Sequence, residues 1–323
     1  MKVAFAGAFA ARIADPVRAR LAMPCEFTID DEAGIVQHLS DADVLVAMGF
    51  SAAMAEAAPR LRLVQVPGAG LDRVDRGALR PGTYLANAYG HEVGISEYII
   101  GAMIALTRSF ARLDGRLRQG EWESQWAIGH AAPPLWPELA GKTLGILGFG
   151  HIGQSLAHRA LAFDMRICAM RSHAMPEAPA GIAFVGGPER LDDVLKEADV
   201  LAITLPLSPA THHLLDERRL RLLKPTAYLI NVGRAEICEE TALYQALASG
   251  RIAGAALDVW YRYPSTGVPM LPAKQPFHTL GNVMMTPHVS GWTDGMLDAR
   301  ARLIGGNIAR IARGEPPLNA IGA

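Results

Sequence analysis

The sequence predicts an α/β protein made of two doubly wound parallel-sheet domains. Three observations lead there. Short apolar runs rich in β-branched residues alternate with helical patterns from end to end. Continuous apolar strands with helices between them mean parallel sheets covered on both faces. The runs also form two groups, 3–7, 26–29, 44–48, 63–66 and 84–87, then 144–147, 165–170, 200–205, 227–232, 254–259 and 283–286. That is too many strands for one tidy doubly wound sheet, and a chain of 323 residues is long enough for two domains.

The elements follow in order. Residues 1–7 read as a first strand, with no A-x-A cleavage pattern after a hydrophobic segment, so no signal peptide is expected. Between the two groups lies a stretch rich in Ala, Ile, Leu and Met. It predicts one long helix over 93–118 that ends near Gly120. Its most apolar part, 98–106, is about half of the ~20 residues a membrane span needs, so a soluble, cytoplasmic protein is expected. A Pro-containing loop, 131–137, leads into the second group. A last helix over 294–313 stops at Gly314, with Pro316 beyond it.

Composition narrows the function. Half the residues are hydrophobic, and Lys+Arg (31) nearly cancels Asp+Glu (32). This balance gives no electrostatic footprint for nucleic acid or an anionic membrane, and favours a small-molecule function. Cys25, Cys168 and Cys238 are few, odd in number and far apart, which fits a reducing compartment and neither a disulfide framework nor a metal knuckle. No His/Cys/Asp/Glu cluster has ligand spacing, so no metal is expected.

The strongest single motif is Leu144-Gly145-Ile146-Leu147-Gly148-Phe149-Gly150-His151-Ile152-Gly153. An apolar strand runs into a G-x-G-x-x-G turn, and a helical pattern follows; this context points to a dinucleotide site. Gly148 permits the tight turn, Gly150 lets the backbone approach a pyrophosphate, and Gly153 lets helix and strand pack closely. The helix N-terminus offers unpaired N–H groups to the phosphates. About 20 residues further on, an acid usually holds the adenosine ribose. Here the second strand ends Ala169-Met170-Arg171-Ser172-His173, without one. A guanidinium at Arg171 pairs well with a 2′-phosphate, and Ser172 adds a hydroxyl donor, so NADP is expected ahead of NAD. In the alternative, Arg171 only stacks on adenine or points to water, and NAD serves equally.

An ordered set of further motifs runs along the chain. It comprises Pro67-Gly68-Ala69-Gly70-Leu71-Asp72, Ala86-Asn87, Ser96-Glu97-Tyr98, the glycine turn, and Leu205-Pro206-Leu207-Ser208-Pro209-Ala210-Thr211. It continues with Ile230-Asn231-Val232-Gly233-Arg234, Gly254-Ala255-Ala256-Leu257-Asp258-Val259 and Thr286-Pro287-His288-Val289-Ser290-Gly291. On these residues the chain resembles the D-isomer-specific 2-hydroxyacid dehydrogenases, almost end to end. The resemblance implies a Rossmann cofactor domain (96–291) inserted into a flavodoxin-like substrate domain (1–95 plus 292–323), a cleft that closes on substrate, and a homodimer. It implies hydride transfer between a nicotinamide and the C2 position of a small 2-oxo or D-2-hydroxy acid of the glyoxylate or hydroxypyruvate kind.

By the same resemblance, Arg234 grips the carboxylate and carbonyl, a task that suits its fixed fork of donors. His288 is the acid/base, with a reference pKa of ~6.5 that lets it shuttle protons near neutrality. Ala69 and Gly70 offer backbone N–H groups to the carboxylate, although a tight turn alone would explain their glycine neighbours. Asp258 orients the carboxamide or caps its strand. The cofactor contacts extend to His151 and Ile152 in the glycine turn, and to Leu205, Pro206 and Thr211. They also take in Val232, Gly233 and Gly291. Trp122, Trp126 and Trp292 are candidate pocket walls, or core. Of the ten histidines, His91, His130, His212 and His213 read as surface or core residues. His91 follows Asn87 in a loop expected to face the cleft, which keeps it a substrate-contact candidate.

One departure stands out. The family places a carboxylate shortly after Asp258 that bonds the histidine and raises its pKa. Here the segment is Asp258-Val259-Trp260-Tyr261-Arg262-Tyr263-Pro264, with Tyr263 at that place and about seven extra residues, by spacing, in a Pro- and His-containing loop over 264–278. A neutral tyrosine orients an imidazole without stabilising imidazolium. The expectation is that Tyr263 orients His288, that the histidine pKa falls, and that reduction loses rate at a lower pH than usual. Glu92 or Glu236 as the histidine's partner is an equal alternative. So is an enzyme for an atypical acid, and a nicotinamide-binding regulatory protein of the same fold remains open, because fold alone does not fix function.

Overall fold

The computed structural model describes residues 1–129, 133–265 and 267–322. His130, the Ala131-Ala132 start of the Pro-containing loop and Thr266 in the 264–278 loop lie outside the described residues. The chain divides into two compact units, Met1–His91 with Trp292–Ala323, and Glu92–Gly291.

The first unit contains β1 (Lys2–Ala6), α1 (Ala8–Arg18), β2 (Glu26–Asp30), β3 (Val44–Ala47), α2 (Ala52–Ala57), β4 (Leu63–Gln65) and β5 (Tyr84–Ala86). The second unit contains α3 (Glu92–Thr107), α4 (Phe110–Leu117), β6 (Thr143–Leu147), α5 (His151–Leu161), β7 (Arg166–Met170), β8 (Ile182–Gly186) and α6 (Leu191–Glu197). It continues through β9 (Val200–Ile203), α7 (Glu217–Leu220), β10 (Tyr228–Asn231), α8 (Glu240–Ala248), β11 (Gly254–Leu257) and β12 (Val283–Met285). The chain then returns to the first unit with α9 (Asp294–Ala312) and β13 (Ala320–Ile321).

The first sheet has the order β13-β5-β4-β3-β1-β2 and is parallel except for β13, which runs antiparallel to β5. Without β13 this is the 2-1-3-4-5 order of a flavodoxin-like sheet. Its core strands are apolar on both faces because α1 and α9 cover one side: Phe5 and Val46 pack with Ile13, Ile304 and Ile308, while Leu45 and Val64 pack with Ile35, Leu39 and Met54 on the other. The second sheet, β12-β11-β10-β9-β6-β7-β8, is wholly parallel. From β8 through β11 its order is that of a Rossmann fold, with β12 added. The α3 helix lays Ile99 and Met103 on Ile146 and Ile230, and Leu147, Leu201 and Leu229 pack on the opposite face with Phe277.

Two differences from the sequence reading have local causes. The single helix expected over 93–118 is broken into α3 and α4, bent by 57°. Thr107 donates its hydroxyl back to the Met103 carbonyl at 2.8 Å, a bond that bends helices. Ser109 then takes a left-handed φ of 51°, which the α-helical repeat does not contain. Also, β8 and β13 lie outside the expected strands. Both sit at sheet edges, where β8 is only partly buried and β13 is two residues long, so neither shows the continuous apolar run that marks the interior strands. The division between the units falls at the start of α3 rather than within it. Among the described residues no single helix is long and apolar enough to cross a membrane.

Candidate active site

In the second unit the chemistry-bearing residues sit at the carboxyl ends of parallel strands, where ligands of open α/β sheets bind. The turn after β6 is built as a dinucleotide cradle. Gly148 has φ 106°, and a Cβ there would stand 2.9 Å from the backbone N of Leu205. A Cβ on Gly153 would stand 2.3 Å from the Gly148 carbonyl oxygen. Around Gly150 a Cβ would meet nothing within 4 Å, so the backbone is open to an approaching ligand. Gly150 is the N-cap of α5 and makes no side-chain cap, leaving the first-turn N–H groups of an 11-residue helix directed outward. These features fit a pyrophosphate. The two sides of the cradle are locked: Met170 C=O accepts from Gly148 N (2.9 Å), and Thr204 Oγ1 donates to Gly148 C=O (2.7 Å). Arg171, half-buried, and the exposed Ser172 follow directly at the end of β7. The Arg171 side chain has no hydrogen bond or ion pair within the described residues.

Around this cradle, Leu205 and Pro206 lead out of β9, and the Thr211 hydroxyl closes their loop by donating to Pro206 C=O at 2.8 Å. Past β10, Asn231 shapes the turn that carries Arg234. Its carboxamide oxygen accepts from Gly233 N (3.0 Å) and its NH₂ donates to Arg234 C=O (2.9 Å). Gly233 is required there, because a Cβ would lie 2.7 Å from the Leu205 carbonyl oxygen. Val232 is buried beneath it. Arg234 is half-buried and donates to Gly233 C=O at 2.8 Å.

The segment after β11 and the loop after β12 close on each other. Asp258, fully buried, accepts from Thr286 Oγ1 (2.6 Å), Val289 N (2.9 Å) and Ser290 N (2.8 Å). Three of a carboxylate's roughly four acceptor sites are thus used inside the protein. The sequence left Asp258 as an orienter of the carboxamide or a strand-end cap; in the structure it holds the His288 loop. Tyr98 on α3 extends the chain, donating to Thr286 Oγ1 at 2.6 Å. Burial raises the Tyr98 pKa, the Thr286 hydrogen bond lowers it, and the Asp258 charge raises it.

His288 itself has φ 58°, uncommon for a non-glycine residue, and the clamp on Val289 and Ser290 holds it there. Its Nδ1 lies 2.8 Å from the Tyr263 hydroxyl. The imidazole's partner is therefore Tyr263, not Glu92 or Glu236. Tyr263 Oη also accepts from the backbone N–H of Trp260 at 3.2 Å. Partial burial lowers the His288 pKa below its ordinary value, the Asp258 carboxylate pulls it up, and the Arg234 cation pushes it down. His288 is exposed to solvent, which screens these charge effects. For Tyr263, partial burial raises the pKa, the Trp260 N–H and Arg234 lower it, and Asp258 and Glu236 raise it.

The residues from Trp260 to Tyr263 point to separate tasks. Trp260 is buried and donates Nε1–H to Thr286 C=O at 2.8 Å. Tyr261 donates to Cys238 C=O at 3.0 Å. Phe277, from the 264–278 loop, packs against Tyr244, Trp260 and Tyr261 with ring centroids 5.6–6.4 Å away. Glu240 accepts from Lys274 N and Gln275 N at 2.6 and 2.7 Å, fixing the loop's exit. The roles of Trp260 and Thr286 were missed from sequence, and the only signal for either was membership of a quoted motif.

The first unit carries the remaining candidates. Ala69 and Gly70 are partly exposed in a bend after β4, held by Asn87 Nδ2 on Ala69 C=O (3.0 Å) and by Ala88 N on Gly68 C=O (3.0 Å). His91 ends this unit. Trp292 is 48% exposed and packs with Phe9 at 5.4 Å, beneath the Arg12 guanidinium. In the second unit Trp122 and Trp126 are 53% and 84% exposed, so neither is core. His212 and His213 stack on each other at 3.9 Å.

The D-isomer specific 2-hydroxyacid dehydrogenase, NAD binding domain family matches residues 100–290. The chain belongs to the D-isomer-specific 2-hydroxyacid dehydrogenase family. It is 33% identical over 288 residues to a glyoxylate reductase of Thermococcus onnurineus, covering 88% of this chain and 84% of that one. A solved 2-hydroxyacid dehydrogenase of Ketogulonicigenium vulgare is 28% identical and superposes with a TM-score of 0.80 over 99% of this chain and 98% of that one. An NAD-dependent formate dehydrogenase of Staphylococcus aureus, solved with NAD, is 26% identical with a TM-score of 0.76, covering 100% and 99%. The protein is an NAD(P)-dependent oxidoreductase of a 2-oxo or 2-hydroxy acid.

Proposed function

We propose that this dehydrogenase reduces a small 2-oxo acid of the glyoxylate or hydroxypyruvate kind to the D-2-hydroxy acid, and does so with NADPH in preference to NADH. The observation that carries the reading is the Tyr263-held imidazole of His288, within the field of Arg234, at the carboxyl ends of the strands that build the dinucleotide cradle. The glyoxylate reductase name of the Thermococcus relative supports the substrate class.

The chain's own residues divide the work. Gly148, Gly150 and Gly153 with the first turn of α5, joined by His151 and Ile152, hold the pyrophosphate. Leu205, Pro206, Thr211, Val232, Gly233 and Gly291 line the rest of the dinucleotide. When bound, the reduced nicotinamide supplies a hydride to the carbonyl carbon. Arg234 grips the substrate carboxylate and polarises the carbonyl with its fixed fork of donors. Ala69 and Gly70 N–H groups add to carboxylate binding, and His91 and Trp292 are further substrate contacts. His288 delivers the proton that the developing oxyanion needs. Asp258 keeps the His288 loop in place and has at most one acceptor site left for a carboxamide.

The NADP preference rests on Arg171, whose guanidinium has no partner among the described residues and follows the strand end where a ribose acid is absent. A homodimer follows the family resemblance; Phe110, Leu117, Trp126, Ile128 and Leu135, on α4 and the segment after it, are exposed apolar residues that a second subunit would cover. The free thiols Cys25, Cys168 and Cys238 fit the cytoplasm. The test is oxidation of NADPH and NADH, followed by absorbance, with glyoxylate, hydroxypyruvate, pyruvate and phenylpyruvate. Faster turnover of NADPH with the smaller acids is expected. Cofactor binding without turnover of any acid would move the regulatory-protein reading ahead, and turnover only of other acids would make Tyr263 the mark of an atypical substrate.

A further inference from the structure

We propose that the proton given to the substrate oxygen originates on Tyr263 and passes through a neutral His288, whose resting tautomer carries its hydrogen on Nε2. The inference rests on the reductase reading above and deepens it.

Geometry sets the direction of one hydrogen bond, and donor and acceptor strength that of the other. A backbone N–H only donates, so Tyr263 Oη is the acceptor in its 3.2 Å contact with Trp260 N. The phenol has one hydrogen, and within the described residues its one other partner is His288 Nδ1 at 2.8 Å. With that hydrogen on Nδ1's lone pair, Oη accepts from the Trp260 N–H and donates to the imidazole, and both of its partners are used. In the opposite arrangement Nδ1–H would be a second donor aimed at an Oη that already accepts the Trp260 N–H, and the phenol hydrogen, on a residue 51% exposed, would turn to water. A phenol is also a better donor than acceptor, and a neutral imidazole nitrogen a good acceptor. The neutral ring therefore holds its hydrogen on Nε2, the nitrogen away from Tyr263. A carboxylate at position 263 would do the reverse, because it only accepts and would draw the hydrogen to Nδ1.

The step balances as follows. The carbonyl carbon takes a hydride, and its π pair moves onto oxygen. The Nε2–H bond breaks and an O–H bond forms on the substrate. The Tyr263 O–H bond breaks and an Nδ1–H bond forms, leaving a neutral imidazole and a tyrosinate. The Trp260 N–H stabilises that tyrosinate, as does the Arg234 cation, while the Asp258 and Glu236 carboxylates oppose it. Solvent then gives a proton to Nε2 while the Nδ1–H bond breaks and its proton returns to Oη, which restores the phenol and the Nε2–H ring. Tyr263 acts through His288, so it is a positioning residue that also stores the proton.

The pH expectation drawn from sequence changes accordingly. An imidazolium-only acid with a lowered pKa would lose its proton before neutrality. Here the neutral ring still has a proton to give, so reduction stays level until Tyr263 ionises. The charged groups facing the pair are Arg234, Asp258 and Glu236.

The test uses the full chain. Long-range ¹H–¹⁵N spectra of ¹⁵N-histidine-labelled protein, with His288 assigned from His288→Gln, read the tautomer without any ligand. An Nε2–H ring in the wild type, shifting toward a mixture in Tyr263→Phe and to Nδ1–H in Tyr263→Glu, is expected. A wild-type Nδ1–H ring overturns the proposal. In parallel, kcat/KM for 2-oxo acid reduction should stay within about 2-fold from pH 6 to 9 in the wild type. In Tyr263→Phe it should fall about tenfold per pH unit above the histidine pKa, the behaviour of a lone imidazolium acid. A wild-type profile that falls in the same way overturns it. Should either variant fail to fold, the wild-type spectrum and profile still decide. Failure of every 2-oxo acid to react would sink the reductase reading, while the spectrum would judge the tautomer separately.

Discussion

Replacing Asp258 with Asn tests whether the His288 loop is held by the clamp seen in the structure. The carboxylate is fully buried and takes three hydrogen bonds, from Thr286 Oγ1, Val289 N and Ser290 N. Hydrogen bonds to a charged group are worth about 1.5–3 kcal/mol each, and neutral ones about 0.5–1.5. Asparagine keeps one oxygen, so Oδ1 can still accept from Thr286 and Val289 at the neutral strength, a loss of about 1 kcal/mol apiece. Its NH₂ must then face Ser290 N–H, donor against donor, which forfeits the third bond at about 1.5–3 kcal/mol. The expected destabilisation is about 3–5 kcal/mol. Urea unfolding of full-length protein, followed by tryptophan fluorescence, measures it. A second reading is independent of stability. Asp258 raises the His288 pKa, so its neutralisation must lower that pKa further, visible by NMR titration of the imidazole. A loss under about 1 kcal/mol, or an imidazole that titrates at a higher pH than in the wild type, would refute the clamp.

The other predictions concern separate parts of the chain. Arg171→Ala should reduce the NADPH-to-NADH ratio of kcat/KM about 10- to 100-fold, the worth of one lost charge-assisted pair with a phosphate, and an unchanged ratio would remove the structural basis for NADP preference. Gly153→Ala should weaken cofactor binding in a fluorescence titration by at least about tenfold, because the new Cβ stands 2.3 Å from the Gly148 carbonyl oxygen and a backbone atom must yield; wild-type affinity would mean that the turn adjusts freely. Phe277→Ala should cost about 3–5 kcal/mol in urea unfolding, since the ring is 1% exposed and packs on three aromatic neighbours; a loss below about 1 kcal/mol would mean that the 264–278 loop is not anchored there.

The fold was legible where burial is two-sided. Strands such as β6, β9 and β11 are buried along their whole length, so their sequences are short, almost wholly apolar runs. The edge strand β8 mixes exposed and buried positions, and the bend at Ser109 depends on one left-handed residue that the surrounding apolar pattern hides. The site was legible in its local parts and opaque in its long-range ones. The glycine turn reports its own geometry, because each glycine answers a clash within a few ångströms along or beside the same turn. The triple acceptance by Asp258 joins residues 28 to 32 positions apart, and Trp260 reaches Thr286 across 26, spacings that no periodicity encodes. Tyr263 was found only as a break in a family spacing; that its hydroxyl meets Nδ1 rather than water required the fold.

The departure at Tyr263 and the 264–278 loop are one feature of the structure. A carboxylate can accept from an imidazole in several poses, because its oxygens offer about four acceptor sites. A phenol has one oxygen at the end of a rigid ring, so the ring must be aimed. In this chain the aim comes from the turn that sends Tyr263 back over the Trp260 N–H, and that turn is held from below. Trp260 is fixed by Thr286 C=O, Tyr261 by Cys238 C=O, and both pack on Phe277, which the 264–278 loop supplies. Arg262 N donates to Pro272 C=O at 2.9 Å, tying the segment directly to that loop. Shortening the 264–278 loop while keeping Tyr263 would leave the phenol without its aim, whereas a Glu placed at 263 would make the loop dispensable for holding His288. Phe277→Ala should accordingly disturb the His288 tautomer in the wild-type background and leave it unmoved in a Tyr263→Glu background, a coupling that two independent features would not show.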